Sequence, residues 1–140
     1  CKKGFILDGY PRNISQAKTY DNILKDLNYD EGLVVFLDVD KSLAMKRALS
    51  RMVCSKCGLS YNSISKEYAP QKEGICDSCG SPLKTRSDDN EESFITRFDT
   101  FMKETYPLIE YYENKGNLLK IKVDDLSTED IFEEIKKVIK

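Results

Sequence analysis

The chain has no histidine, and it also lacks long apolar runs and an excess of positive charge. Without histidine, metal sites that mix cysteine and histidine ligands are excluded. No run approaches the roughly 18 apolar residues of a membrane span, and the amino-terminal residues lack the apolar stretch of a signal peptide. The net charge of −2 offers no basic surface for a nucleic-acid backbone. We therefore expect a cytoplasmic protein with neither a membrane nor a nucleic acid as partner.

Length and composition indicate one globular domain with an insertion. The 140 residues are 40% hydrophobic and 33% charged, which is ordinary for a chain with a single core. The first residue is Cys1, without an initiator methionine, so we expect the chain to be cut from a longer protein. Cys1 stands apart from the other cysteines and is expected to be an incidental thiol.

The other four cysteines form two CxxC pairs separated by residues 58–75. This spacing is typical of a structural zinc site, in which four thiolates leave no open position for water. Gly58 and Gly80 follow the pairs, where a metal-binding turn needs conformational freedom. Two disulfides or four free thiols are the alternatives, but a reducing cytosol disfavours the first and the paired spacing disfavours the second. The predicted ligands are Cys54, Cys57, Cys76 and Cys79.

Short apolar runs alternate with helical patterns along the chain, which predicts a doubly wound parallel sheet with right-handed crossovers. The strand candidates are residues 5–8, 33–39 and 118–123. Helical patterns follow Asn13 or Ser15, the "DVDKS" stretch, Asn90 and Ser127. Pro107 should kink or split the third helix, which should end at Gly116. The cysteine segment interrupts this α/β pattern as an inserted lobe.

The stretch "LDGYPR" follows the first strand candidate. It places Asp8 at the carboxyl end of a buried strand, followed by a glycine turn and Arg12, where open α/β sheets bind ligands. By pattern alone, a turn cap and a solvated surface charge are equally good explanations.

Four arginines flank the cysteine lobe. Arg47 and Arg51 are four residues apart, which on a helix would place both on one face, toward the lobe. Arg86 and Arg97 flank its other end. Solvated or salt-bridged surface charges are one interpretation. Arginines that converge from both ends of a lobe would instead suit polyphosphate, because guanidinium pairs bidentately with phosphate oxygens.

Four features occur in order: "GFILDGYPRNISQA", the Arg47 and Arg51 pair, the four-cysteine lobe and "TRSDDNEESFITR". In this order they resemble the bacterial zinc-containing adenylate kinases over the whole length. The resemblance implies a partial P-loop NTPase-type sheet and the reaction ATP + AMP ⇌ 2 ADP with Mg²⁺. The cysteine lobe would be the LID, with zinc as the core of a segment too small to fold by apolar burial. The implied boundaries are core 1–50, LID 51–89 and core 90–140.

The resemblance also implies which residues contact the acceptor nucleotide AMP. Gln16 would hydrogen-bond the adenine, and Asp8 would act near Mg²⁺ through water. The implied AMP residues are Gly9, Tyr10, Pro11, Arg12, Gln16, Arg86 and Arg97. The residues implied to act in catalysis are Asp8, Arg12, Arg51, Arg86 and Arg97.

The donor nucleotide ATP has its own implied set. Arg51 would hold the ATP phosphates while Arg47 packs against the adenine. Asp88 and Asp89 would help to hold the LID closed. The implied ATP residues are Arg47, Arg51, Ser60, Tyr61 and Asp124.

The phosphate loop G-x-x-x-x-G-K-[ST] does not occur in the 140 residues. In the family it precedes "GFILDGYPR", so we expect the parent protein to be the active enzyme, a monomer, and this chain alone to be inactive. One alternative is a zinc-ribbon interaction module, which the acidic balance disfavours. Another is a relative that uses GTP as phosphate donor. The "PRNISQA" stretch with Gln16 favours AMP as acceptor.

Overall fold

A computed structural model describes residues 4–139 of the chain, so Cys1 lies outside the described residues. The chain divides into two compact units. We call them the core unit, Cys1–Asp38 with Phe98–Lys140, and the lobe unit, Val39–Arg97. The lobe unit contains the whole of the implied LID, whose narrower limits stay a prediction. Between residues 4 and 139, no helix is both long enough and apolar enough to cross a bilayer.

Helices and strands alternate along most of the chain, as the sequence predicts. In chain order they are α1 (Ile14–Asp26), β1 (Val34–Asp38), α2 (Lys41–Leu49), β2 (Arg51–Cys54), β3 (Ser60–Asn62), β4 (Leu83–Lys84), α3 (Glu91–Thr100), a π-helical turn (Phe101–Thr105), α4 (Pro107–Lys115), β5 (Leu118–Lys122) and α5 (Thr128–Val138).

The core unit contains a parallel pair of strands. β1 and β5 pair with Val34 opposite Leu118 and Asp38 opposite Lys122. Parallel neighbours need a crossover connection, and here the whole lobe unit and two further helical segments lie between the two strands in sequence. The predicted strands at 33–39 and 118–123 are therefore confirmed, within a mixed α/β fold.

The predicted strand at residues 5–8 is wrong. Residues 4–7 have no regular structure, and Phe5, Ile6 and Leu7 are 50%, 94% and 45% exposed. A strand needs a neighbouring strand to receive its backbone hydrogen bonds, since unpaired backbone groups favour water. Among the described residues the parallel sheet has the order β1-β5, and this segment pairs with neither strand.

Local capping signals determine where the helices begin. The Asn13 side chain accepts a hydrogen bond from the Gln16 backbone N–H and caps α1. Ser127 and Asp130 form a reciprocal capping box at the start of α5. Both starts lie where the sequence predicts them.

Pro107 splits the third predicted helix. Proline cannot donate a backbone hydrogen bond, and its ring crowds the carbonyl four residues earlier. The chain therefore widens into the π-helical turn, in which the Tyr106 N–H donates to the Phe101 carbonyl at 2.8 Å. α4 then begins at Pro107 and ends at Gly116, which has a φ of 76°. Both predictions for this helix are confirmed.

Apolar burial holds α1 and α4 together in the core unit. Ala17, Leu108 and Tyr112 form a buried cluster. Full burial of a side chain such as Leu108 contributes about 1.5–3 kcal/mol to the free energy of unfolding. The half-buried residues packed against the cluster are Ile14, Val34, Tyr111 and Leu118.

A buried charge network also links these two helices. The carboxylate of Asp21 accepts hydrogen bonds from the Tyr111 hydroxyl at 2.5 Å and from Lys115 Nζ at 2.7 Å. Lys115 Nζ also lies 2.7 Å from a carboxylate oxygen of Glu31. Burial alone would raise the pKa of Asp21, but the hydrogen bonds from Lys115 and Tyr111 outweigh it and lower that pKa. The network is therefore paired and hydrogen-bonded, as a buried charge requires.

The lobe unit contains a small antiparallel sheet with the order β3-β2-β4. Met52 lies opposite Tyr61, and Cys54 lies opposite Leu83. The sheet corrects one prediction, because α2 ends at Leu49 and Arg51 belongs to β2. Arg47 and Arg51 therefore do not share a helical face. The Arg51 backbone pairs with Asn62 of β3 instead of continuing the helix.

Candidate functional site

The four paired cysteines meet at one point of the lobe unit. Their sulfur atoms all lie within 4.8 Å of one another. Cys54 Sγ is 3.4 Å from Cys79 Sγ, and Cys57 Sγ is 3.5 Å from Cys76 Sγ. A tetrahedral zinc with Zn–S bonds of about 2.3 Å would hold its sulfurs about 3.8 Å apart. The cluster therefore has the donor set and the size of a structural zinc site.

Each CxxC pair lies on the same kind of backbone turn. The Gly58 N–H donates to the Cys54 carbonyl at 3.0 Å, and the Gly80 N–H donates to the Cys76 carbonyl at 2.8 Å. The two glycines have φ values of 76° and 69°, in the left-handed region that other residues rarely adopt. The predicted need for glycine after each pair is confirmed.

The surroundings of the sulfur atoms make them unequal. A hydrogen bond from Tyr61 is the main cause that lowers the pKa of Cys76 to about 6. Hydrogen bonds involving Ser81 lower the pKa of Cys79. For Cys57, a backbone hydrogen bond from Leu59 lowers the pKa, but burial and the neighbouring cysteines raise it to about 12. A bound dication would deprotonate all coordinating thiols, including this one.

Tyr61, implied to contact ATP, has its hydroxyl at the cysteine cluster. The hydroxyl oxygen lies 3.4 Å from Cys76 Sγ and accepts a hydrogen bond from the Asp77 N–H at 2.9 Å. Sequence reasoning missed this contact because it joins β3 to the second cysteine turn, 15 residues further along.

Arg51 and Arg97 converge on one buried carboxylate in the lobe unit. Arg51 Nε lies 3.8 Å from Asp89 Oδ2, and Arg97 Nη2 lies 3.6 Å from Asp89 Oδ1. The Asp89 side chain is 0% exposed, whereas the arginine side chains are 39% and 51% exposed. The ion pairs are longer than hydrogen bonds, and neither Asp89 oxygen has a hydrogen-bond partner among the described residues. The guanidinium groups are thus held in place while part of each stays accessible.

Asp88 makes a second contact to the same arginine. Arg97 Nη2 donates to the Asp88 carbonyl at 3.2 Å, and Arg97 Nη1 lies 3.7 Å from Asp88 Oδ2. Both acidic residues implied in LID closure therefore contact Arg97. At these exposures the Asp88 pair contributes little to stability, so it orients the arginine more than it stabilises the fold.

Three other implied residues of the lobe unit lie on α2, on β3 and between β4 and α3. The Arg47 carbonyl accepts a hydrogen bond from Asn62 Nδ2 at 2.8 Å, which ties α2 to β3. Arg86 and Ser60 are exposed. Within residues 4–139, neither of these two side chains belongs to the Arg51–Asp89–Arg97 cluster.

In the core unit, the residues implied to bind AMP form a closed loop at the start of α1. Arg12 Nε donates to the Gly9 carbonyl at 2.7 Å, and the Arg12 N–H donates to Gln16 Oε1 at 2.8 Å. Gly9 has a φ of 66°, and a Cβ there would lie 3.0 Å from Arg12 Nη2. The left-handed φ therefore favours glycine at this position, and the close contact would be with the flexible end of the Arg12 side chain.

The remaining implied residues of the core unit are placed at strand or loop ends. Tyr10 donates its hydroxyl to the Gln16 carbonyl at 3.4 Å, and Pro11 is half-buried beside it in sequence. Asp8 is exposed. Asp124 follows β5, with Oδ2 3.5 Å from Lys122 Nζ.

A family model described as adenylate kinase matches residues 1–117. The chain belongs to the adenylate kinase family. The resemblance drawn from the motifs is thereby confirmed, and the parallel sheet is consistent with the P-loop NTPase-type fold of this family.

Curated relatives agree with the family match. The adenylate kinase of Acetivibrio thermocellus is 48% identical over 133 residues, which cover 92% of this chain and 60% of the relative. The adenylate kinase of Geobacillus sp. (strain WCH70) is 40% identical over 139 residues, covering 99% and 63%. That of Clostridioides difficile is 41% identical over 136 residues, covering 96% and 61%. The chain therefore spans about three fifths of the length of these relatives.

Proposed function

We propose that this chain carries the LID and part of the nucleotide-binding core of an adenylate kinase, which catalyses ATP + AMP ⇌ 2 ADP. The observation that supports the proposal most directly is the convergence of Arg51 and Arg97 on the buried Asp89. Two guanidinium groups that are oriented, partly accessible and not hydrogen-bonded to the Asp89 carboxylate can donate hydrogen bonds to phosphate oxygens without refolding.

Catalysis of phosphoryl transfer depends on positioning of the two nucleotides and on positive charge more than on covalent chemistry by the protein. In this proposal Arg51 holds the ATP phosphates, and Arg97, with Arg86, surrounds the transferring group. Asp88 and Asp89 stabilise the closed LID through Arg97. Mg²⁺ bound with ATP would neutralise phosphate charge, and Asp8 would act near it through water. A general base is not needed.

The acceptor nucleotide is assigned to the loop of the core unit. Arg12 would contact the AMP phosphate, and Gln16 would hydrogen-bond the adenine, with Gly9, Tyr10 and Pro11 shaping the site. Arg47, Ser60, Tyr61 and Asp124 are proposed on the ATP side.

The cysteine cluster is assigned to a structural zinc in a LID of residues 51–89. Four sulfur ligands complete a tetrahedron, so the metal would stabilise the lobe and take no part in the reaction. Free, closely spaced thiols also fit a reducing cytoplasm, where we place the protein.

The test is a coupled assay of ADP formation by the product of the complete gene, with ATP or GTP as donor and AMP, CMP or UMP as acceptor. Arg12→Ala should raise the KM for AMP, and Arg51→Ala the KM for ATP, each about tenfold or more, because charged hydrogen bonds contribute about 1.5–3 kcal/mol. Arg97→Ala should lower kcat most.

Lys137→Ala is the matched control, since it removes one positive charge from an exposed pair with Glu134 on α5. It should change neither KM. If Arg12→Ala and Arg51→Ala raised both KM values equally, the assignment of donor and acceptor sides would be wrong. Absence of ADP formation by the complete gene product would contradict the proposed function itself.

A further inference from the structure

The loop at the start of α1 is tied to a segment 93 residues further along the chain by a hydrogen bond. Thr105 Oγ1 donates to the Arg12 carbonyl at 2.8 Å. Thr105 is the last residue of the π-helical turn and is half-buried. Its hydroxyl thus restrains the loop from outside, in addition to the hydrogen bonds that the loop makes within itself.

The π-helical turn gives Thr105 a rigid support. The ring of Phe101, the first residue of the turn, lies nearly parallel to the ring of Phe36 on β1, with centroids 6.3 Å apart and an interplanar angle of 8°. The ring of Tyr106 packs edge-on against Phe101 at 6.4 Å. The turn is therefore anchored on the parallel sheet, and Pro107 maintains its width. Single π-helical turns within helices occur frequently at functional sites.

The peptide unit that Thr105 holds is central to the loop. The Arg12 carbonyl belongs to the peptide bond that enters the helix cap Asn13. The Arg12 N–H donates to Gln16 Oε1, and the Arg12 side chain donates to the Gly9 carbonyl. A rotation of the Arg12 backbone would therefore move the guanidinium group and release the Gln16 side chain together.

We propose that Thr105 is a positioning residue for the nucleoside monophosphate site, acting through the Arg12 carbonyl. The inference rests on the proposed function in one respect, namely that Arg12 and Gln16 contact AMP. Thr105 itself does not need to touch the nucleotide.

The experiment compares Thr105→Val, which keeps the shape and removes the hydroxyl, with Thr105→Ser, which keeps the hydroxyl, in the product of the complete gene. Thr105→Val should raise the KM for AMP about fivefold, the effect of one lost hydrogen bond, and leave the KM for ATP unchanged. Thr105→Ser should restore the KM for AMP. Equal KM values for AMP in the valine variant and the wild type would overturn the proposal, as would a parallel rise in both KM values.

Thr19→Val is the matched control, because the Thr19 hydroxyl donates at 3.1 Å to the Ser15 carbonyl within α1 itself. It removes the same kind of hydrogen bond, from a threonine hydroxyl to a backbone carbonyl, at a site within α1, and it should leave both KM values unchanged. Loss of AMP affinity in this control as well would show that general loosening of α1, rather than the Thr105 contact, is responsible.

Amide hydrogen exchange separates this inference from the proposed function. The exchange rate of the Arg12 N–H, measured without nucleotide, should rise about fivefold in Thr105→Val and return in Thr105→Ser. A wild-type gene product that formed no ADP would overturn the proposed function and with it the AMP role of the loop. Unchanged exchange at Arg12 in an enzyme that does form ADP would overturn the positioning role alone.

Discussion

The core unit and the lobe unit have interiors of different chemistry. The described residues that are buried in the core unit are mainly apolar: Ala17, Leu24, Leu108, Tyr112, Ile121 and Val123. In the lobe unit the buried residues are Ala48 and two of the cysteines, Cys54 and Cys76. One unit is thus held by apolar packing, whereas the other has sulfur atoms where a core would be. A short inserted segment can dispense with an apolar core if a metal replaces it.

The buried carboxylates of the two units also differ in their hydrogen bonding. Asp21 in the core unit accepts two short hydrogen bonds. The Asp89 side chain in the lobe unit is 0% exposed, yet its oxygens lie 3.6–3.8 Å from the arginine nitrogens and have no hydrogen-bond partner among the described residues. Satisfied charges stabilise a fold, while an unsatisfied buried group needs another explanation. The comparison favours a structural role for Asp21 and a functional role for Asp89.

Metal removal should have the largest effect and should act on the lobe unit alone. Structural zinc contributes about 10–16 kcal/mol to the folding of small zinc domains. A strong chelator should therefore release about one Zn²⁺ per chain and unfold the cysteine lobe, with loss of amide dispersion for residues 54–83 in NMR spectra. The signals of α1 and α4 should persist.

Cys57→Ser should reproduce part of this loss without chelator, and it should lower Tm more than it lowers nucleotide affinity. A purified protein without stoichiometric metal, or a lobe that stays folded after chelation, would remove the distinction between the two interiors.

Asp21→Asn should have the next largest effect, on the core unit. Removing the Asp21 charge leaves the largely buried Lys115 with only the exposed Glu31 as a counter-ion, so the free energy of unfolding should fall by about 3 kcal/mol in urea titrations. Glu31→Gln is the matched control, because it removes the other, 40%-exposed partner of the same Lys115. It should cost less than about 1 kcal/mol. Equal losses of unfolding free energy in the two variants would show that burial does not increase the contribution of the Asp21–Lys115 pair.

The same network predicts how stability depends on pH. Burial raises the pKa of Asp21 in the folded state, but the hydrogen bonds from Lys115 and Tyr111 outweigh it, so that the pKa is lowered overall. Its contribution is therefore present above the unfolded pKa, near 4, and is lost as the pH falls through the lowered folded value. Burial lowers the pKa of Lys115, but Asp21 and Glu31 raise it by more. The contribution of Lys115 to stability is therefore lost only at strongly alkaline pH. Asp21→Asn should flatten the acid limb of a plot of stability against pH.

Tyr61→Phe should have the smallest effect and should show how closely the ATP side and the metal centre are connected. The hydroxyl supports Cys76, and loss of such an outer-sphere partner typically weakens metal binding about tenfold or more. Zinc competition with a chromophoric chelator measures this affinity without any nucleotide. Tyr29→Phe, at a 59%-exposed position of the core unit, should leave it unchanged. An unaltered zinc affinity for Tyr61→Phe would show that the tyrosine hydroxyl does not support metal binding. The proposed role of Tyr61 would then be limited to the ATP side.

Several features could be predicted from the sequence because their causes lie within a few residues of one another. Asn13 caps α1 through Gln16, Pro107 disrupts the helix at the turn directly before it, and each CxxC pair closes its own turn onto the following glycine. Short-range signals of this kind depend on backbone conformation and local hydrogen bonds, which the neighbouring residues decide. The family resemblance followed from the order of such local motifs.

The features that only the tertiary structure decided depend on partners far along the chain. Residues 5–8 have the composition of a strand but lack a paired neighbour among the described residues, while Arg51 leaves the helical pattern to pair with β3. The burial of Asp89 between arginines and the bond from Thr105 to Arg12 likewise join segments distant in sequence. Hydrophobic pattern and capping residues thus sufficed to predict most helices and the two strands of the parallel sheet, and the CxxC spacing sufficed to predict the cysteine cluster. Which polar groups meet was decided by packing, because long-range contacts form only where the folded chain brings their partners within hydrogen-bonding distance.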